Sequence, residues 1–323
     1  MRIATTVEEI KKFITVNKNY TPALLLPAEL DAQEIVQQVT GKAQYDALQA
    51  AYTAATLTPA QTALLPYVQH AMISFAMLIN SDEAQLEISN SGMQINTSAE
   101  RKTAFQWQIL AVKKRLKKKA YIALQNLLTF LQNSNAATDY PLWYASDERK
   151  DFLQYFINDA KTFNKNYNIN GNFSFFLFLR ETMADVEQKY ILPVLGKPLF
   201  DQIKAQILAN TLSNNNKALL QLIQRGVAWK TIYHAIPKLI GYTDEFGIVE
   251  EYISSTMDAN SSNPASTDVV SLKLRTTDNE GETFISKLND YLIANETTYP
   301  LFVLPEITTI SLNNATRKVY TVL

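Results

Sequence analysis

The chain repeats itself, and that repetition restricts its fold more than any other feature. Asn17-Lys18-Asn19-Tyr20 returns as Asn164-Lys165-Asn166-Tyr167, 147 residues later. Val39-Thr40-Gly41-Lys42-Ala43-Gln44-Tyr45-Asp46 returns as Val194-Leu195-Gly196-Lys197-Pro198-Leu199-Phe200-Asp201, at an offset of 155. The same offset pairs Ala63-Leu64-Leu65 with Ala218-Leu219-Leu220, and Gln69 with Gln224. Tyr140-Pro141-Leu142-Trp143 matches Tyr299-Pro300-Leu301-Phe302 at an offset of 159. Between positions 33 and 69 the ungapped pairing holds 13 identities in 37 columns, far above chance. Each unit is domain-sized, so the duplication predicts two domains, 1–150 and 151–323, each able to bury a core.

The expected fold class is mainly α, a tandem duplication of a helical unit with small β-hairpin additions. In each unit a helix (29–40, then 180–195) stops at Gly41 or Gly196, where a residue tolerant of positive φ is wanted. A second helix follows each stop. Pro198 suits its first turn, where a missing N–H costs nothing. A third starts after Thr58-Pro59 in the first unit and after Ser213 in the second, with Thr58 and Ser213 as N-caps. Thr97-x-x-Glu100 is a capping-box pattern. It opens a long helix, about 98–132, whose stripe runs through Ile109, Val112, Leu116, Ala120, Ala123, Leu127 and Phe130 at spacings of three and four. Its counterpart is read as shorter, 282–295. Residues 86–89 and 93–95 around Asn90-Ser91-Gly92 read as a hairpin. The corresponding part of the second unit reads as an extended loop, 254–282, with strand character at 269–275. The chain ends in a β-hairpin reading, 307–312 and 319–323, able to dock on another sheet.

Composition narrows the chemistry. A net charge of −1 offers no global attraction to nucleic acid or acidic lipid. Zero cysteines exclude disulfides and thiolate metal sites. The start meets Glu8 and Glu9 before any apolar segment, unlike a secretory signal. No uninterrupted apolar run reaches the length of about 18 residues that a membrane helix needs, so no membrane contact is expected. Gly41-Lys42 and Gly196-Lys197 lack the remaining residues of a P-loop and read as structural turns. His70 and His234 each stand alone, without a second ligand at metal spacing. Adjacent carboxylates such as Glu250-Glu251 and Asp147-Glu148 point apart on a helix. Neither a catalytic constellation nor a cofactor or metal site is expected, and the chain reads as a non-enzyme.

One local signal stands out. Lys113, Lys114, Arg115, Lys117, Lys118 and Lys119 place six cations in seven residues inside the long helix. Six such positions cannot share one solvated face, so some must flank the apolar seam and extend their stems along it. The band is read either as a solvated helix flank or as a face toward DNA or an acidic partner. Phe105 and Trp107, one to two turns earlier, belong to the same helix.

Several motifs occur in a fixed order. They are the Gly-Lys turn, Leu64-Leu65-Pro66-Tyr67-Val68-Gln69, Glu87-Ile88-Ser89-x-x-Gly92 and Thr103-Ala104-Phe105-Gln106-Trp107-Gln108. Ala123-Leu124-x-x-Leu127-Leu128-x-Phe130-Leu131 and Phe163-Asn164-x-x-Tyr167-Asn168-Ile169-Asn170-Gly171 follow. In this order the chain resembles a family encoded in phages and prophages of the Bacteroidetes, along nearly its whole length. The helical unit is also similar in fold to the head–tail connector (adaptor) proteins of tailed phages, which sit under the portal as a ring around the DNA channel. That resemblance implies a virion structural protein of the neck region, made in the host cytoplasm. Its partners would be copies of itself in a ring, the portal or other neck and tail proteins, and packaged DNA through non-specific contact. The alternative is a non-structural assembly or host-interaction protein. A tandem duplication lets one chain fill two quasi-equivalent positions, or lets one unit specialise. The extended second-unit loop is read as favouring specialisation.

Overall fold

The computed structural model describes residues 3–4, 6–16, 20–83, 86–89, 92–95, 106–240, 249–251, 262–264 and 267–303. The first unit runs α1 (Val7–Lys11), α2 (Leu26–Thr40), α3 (Lys42–Thr53), α4 (Pro59–Glu83), β1 (Leu86–Ser89), β2 (Gly92–Ile95) and α5 (Gln106–Asn133). Three short helices, α6 (Ala136–Asp139), α7 (Pro141–Tyr144) and α8 (Asp147–Leu153), lead out of it. The second unit runs α9 (Ala160–Asn166), α10 (Phe173–Val186), a π-helical turn (Glu187–Ile191), α11 (Leu192–Leu195), α12 (Lys197–Ala209) and α13 (Asn214–Ile240). Then come β3 (Val249–Glu251), β4 (Ser262–Pro264) and α14 (Thr267–Ala294). The chain is mainly helical and two-part, with the same order of elements in both halves.

The repeat extends to individual bonds. Gly41 and Gly196 adopt φ of 70° and 71°, ending α2 and α11 and turning the chain into the next helix. Lys42 pairs with Asp46 at 2.8 Å, and Lys197 pairs likewise with Asp201. Tyr140 donates to the Ala60 carbonyl at 2.9 Å, and Tyr299 to the Asn215 carbonyl at 2.9 Å. Gln69 donates to the Ile3 carbonyl and Gln224 to the Phe156 carbonyl, both at 2.8 Å. In each unit the Tyr-Pro segment and the N-terminal segment are thereby tied to the same helix, α4 or α13. These long-range bonds fix the two segments against the helix.

Each core forms around that helix. α4 packs between α2 and α5, burying Leu64, Val68, Ala71, Phe75 and Ala76; α13 packs between α10 and α14, burying Leu219, Ile223, Val227 and Ile232. Thr58 caps α4 reciprocally with Gln61, and Ser213 caps α13 through the Asn216 amide. Pro59–Ser81 is by length and composition apolar enough to cross a membrane, although Gln69, His70 and Ser74 interrupt it; here it is the central core helix. α8 joins the units. It packs on both α2 and α12, and the buried Arg149 donates to Tyr144 O and, at 2.6 Å, to Leu208 O. The Ala160 amide donates to Gln125 Oε1 at 3.0 Å, tying the start of the second unit to α5.

Several expectations change. Residues 267–282, read as part of a loop with a strand at 269–275, are the first half of α14. At 28 residues this helix equals α5 rather than falling short of it. Val269, Val270 and the Thr276-Thr277 pair carry β propensity, but Val270, Leu274, Thr277, Gly281, Leu288 and Leu292 keep one helical face against α13. Packing of that face overrides local preference. The helix expected over 180–195 begins at Phe173, capped by Asn172, and widens into the π turn before α11. The helix expected over 29–40 begins at Leu26. The C-terminal hairpin of 307–323, residues 98–105 of the expected long helix and Phe105 lie outside the described residues.

Candidate functional site

The basic band occupies the middle of α5, and its six cations do not share one fate. Lys114, Arg115 and Lys118 are exposed, on the side opposite the buried stripe of Ala120, Ala123, Leu124 and Leu127. Lys113, Lys117 and Lys119 are half-buried. Loss of water lowers the Lys117 pKa below its usual range. The Lys119 ammonium donates to the Phe13 carbonyl and lies near His70, whose pKa is lowered first by burial and then by that charge. The outward ridge is therefore Leu110, Lys114, Lys118 and Ile122 at successive i, i+4 positions, with Arg115 beside it. Leu110 and Ile122 are exposed by 46% and 43%, so the ridge alternates charge with uncovered apolar surface.

The turns at Gly41-Lys42 and Gly196-Lys197 are structural. Their lysines pair with Asp46 and Asp201 one helical turn away. Gly41 is closely covered, since a Cβ there would sit 3.0 Å from Glu148 Oε2 and 3.1 Å from Ser146 Cβ. At Gly196 the nearest such atom is Pro198 Cδ at 3.9 Å.

Two charged clusters went unseen in the sequence, and both lie in the second unit. In one, Lys230 is 1% exposed and reaches across the α13–α14 contact. Its ammonium donates to Asp278 at 2.6 Å and to Glu282. Burial opposes that charge, but the bonds from Asp278 and Glu282 outweigh it and raise the Lys230 pKa. The stem crosses α14 at Gly281, where a Cβ would lie 2.9 Å from Lys230 Cδ. Beside it Tyr190 and His234 share a hydrogen bond of 2.8 Å. Burial, then Lys189 and Lys230, lower the His234 pKa. An open cleft of about 470 Å³ adjoins, lined by Tyr233, His234, Ser271, Leu274, Arg275 and Asp278. Bonded to both carboxylates, Lys230 fastens α13 to α14.

The second cluster lies where the segment after α8 meets the π turn and α12. Glu187, on the π turn, is 3% exposed; it accepts from the Phe156 amide at 2.6 Å and pairs with Lys204. Lys204 also donates to the Gln154 carbonyl, and its ammonium lies 3.8 Å from the centre of the Phe156 ring. Burial raises the Glu187 pKa and lowers that of Lys204, each against the pull of the other. A cleft of about 600 Å³ opens beside the pair.

The duplication held the signal for both. At the 155-residue offset Tyr190, Lys230, Tyr233 and His234 stand opposite Ile35, Phe75, Leu78 and Ile79, and Glu187 and Lys204 opposite Ala32 and Gln49. The first unit has uncharged side chains at these positions, and the second has charged or polar ones. The two units therefore differ in the side chains of their helices. Among the described residues no group of three His, Asp or Glu side chains could hold a metal ion.

Gly281→Ala should destabilise the protein. A methyl against the pinned Lys230 stem is overpacking of about 1–3 kcal/mol, larger than the helix gain of about 1 kcal/mol over glycine. In a Lys230→Met background, where a flexible unpinned chain replaces the lysine, the same change should become neutral or stabilising. Thermal melts of the four proteins of this cycle measure the coupling.

Neither a curated protein nor a solved structure matches the sequence. A family model described as a family of unknown function, DUF6712, matches twice, over residues 36–152 and 191–310. The two matches begin 155 residues apart, the offset that relates Gly41 to Gly196, and together they cover well over half of the chain. The chain belongs to the DUF6712 family, and carries its domain twice.

Proposed function

We propose that the protein is a structural subunit of a tailed-phage particle, a neck or head–tail connector (adaptor) that forms a ring near the portal through contacts between protomers. The observation that carries this reading is the outward ridge of α5. A 28-residue helix presents Leu110, Lys114, Lys118 and Ile122 along its exposed side, a surface suited to a macromolecular neighbour. The resemblance to phage connectors supplies the setting. Its work is geometric: a pair of fused scaffolds fixes spacing between neighbours, and the cations of α5 face packaged DNA or an acidic ring partner. The charged groups of the second unit are paired to one another, which suits a role in shape more than in turnover.

The test is quantitative mass spectrometry of purified particles, counting this chain against the major capsid protein. A fixed number on the order of a dozen copies is expected of a closed ring. Absence from complete particles would overturn the reading and leave a non-structural assembly or host-interaction protein.

A further inference from the structure

We infer that the protein associates with itself through two unlike faces of its first unit, the outward face of α2 on one copy and the α5 ridge on the next. The inference deepens the connector reading and rests on it for its biological setting. α2 leaves Leu26 and Leu30, one turn apart, exposed by 45% and 59%, with Leu24 just before them at 65%. Asp31 and Glu34 are exposed on the same stretch of helix. Single exposed leucines are ordinary, but three within seven residues beside two carboxylates form a patch. The α5 ridge has the matching character. Leu110 and Ile122 bracket Lys114 and Lys118 over about 18 Å of helix, with Arg115 alongside. One face is apolar and acidic, the other apolar and basic, which is the complementarity that selects a partner and its orientation.

A second copy suits the ridge better than DNA. A phosphate backbone calls for a continuous set of cations. Here Lys119 is turned to the Phe13 carbonyl, and Leu110, Val112 and Ile122 interrupt the rest with exposed apolar surface. Among the described residues the second unit has no equivalent of the α2 face, although α14 exposes Val269 and Leu272 beside Lys273 and Arg275. The exposed positions of α10 include Glu181 and Asp185, with no large apolar residue. Aligning the buried stripes of the long helices sets Ser271, Arg275, Asn279 and Thr283 opposite the four ridge residues. Among the described residues, the complementary pair of faces lies on the first unit. Unlike faces give a head-to-tail contact that closes into a ring or runs on as a filament. The second unit stays clear of that contact.

The test uses the full chain in two charge-reversed forms, Arg115→Glu with Lys118→Glu, and Asp31→Lys with Glu34→Lys. Analytical ultracentrifugation and mass photometry should show each form weakened in self-association by roughly tenfold or more, because like charges then meet. Mixing the two forms in equal amounts should restore association, since every contact in an alternating assembly is again complementary. Far-UV circular dichroism and melting, unchanged in both, exclude loss of the fold, and Leu30→Ser should weaken association without altering charge. Association that ignores the reversals, or a mixture that fails to recover, overturns the assignment. So does loss of binding to random-sequence duplex DNA with self-association intact. A chain that obeys the swap but is missing from particles keeps these faces and sinks the connector reading. A chain present at fixed copy number that ignores the swap does the reverse.

Discussion

Glu187→Leu is expected to cost about 3–5 kcal/mol of folding stability, the usual penalty for removing one partner of a buried ion pair. The carboxylate is 3% exposed, and two groups depend on it. Lys204 would keep the Gln154 carbonyl and the face of the Phe156 ring, and the Phe156 amide would lose its acceptor. The charges themselves contribute little net stability, since burial disfavours both ionised forms. Glu187→Gln combined with Lys204→Met should therefore return most of the loss. It removes both charges while keeping a side-chain oxygen for Phe156, whose unmet amide alone would cost about 1–3 kcal/mol. Urea denaturation of the single and double variants decides the matter. A midpoint unmoved by Glu187→Leu would mean that this cluster is open to water in solution.

Gly41→Ala and Gly196→Ala form a pair in which the protein supplies its own control. Both glycines adopt nearly the same backbone, φ of 70° with ψ of 145° and φ of 71° with ψ of 152°, a region essentially reserved for glycine. Each substitution should cost about 1–3 kcal/mol from backbone strain. Only Gly41 also faces close neighbours, Glu148 and Ser146 at the start of α8, which adds overpacking of about 1–3 kcal/mol. Gly41→Ala should thus melt lower than its twin, and the gap measures how firmly α8 is seated on the first unit. Equal shifts would mean that α8 yields freely.

The α-helical duplication was legible because its signals are local. Gly-Lys stops, Thr58 and Ser213 caps and period-3.6 stripes do not depend on distant partners. α14 was misread for the same reason. Its first half is rich in Thr, Ser and β-branched residues, and what makes it helical is α13 lying along it. The polar clusters of the second unit were hidden differently. Lys230 gains meaning only from Asp278, Glu282 and the space above Gly281, some 50 residues away in sequence. Comparison of the two copies position by position would have exposed it, since a lysine opposite Phe75 asks for a new partner. The basic band was visible as composition. Which of its cations reach solvent depended on the register of the buried stripe and on the Phe13 carbonyl.

The fastening of one unit to the other by α8 has a consequence for how strong that contact must be. Units held on one chain meet at an effective concentration in the millimolar range. A contact with a Kd of about 1 mM, or about 4 kcal/mol, would leave separate chains apart at ordinary concentrations yet keep linked ones substantially docked. The Arg149 bond to Leu208, the Ala160 bond to Gln125 and the packing of α8 on α2 and α12 need supply no more than this. Covalent linkage in this way frees the duplicated surfaces from holding the halves together, so equivalent positions can differ as far as Phe75 and Lys230 do.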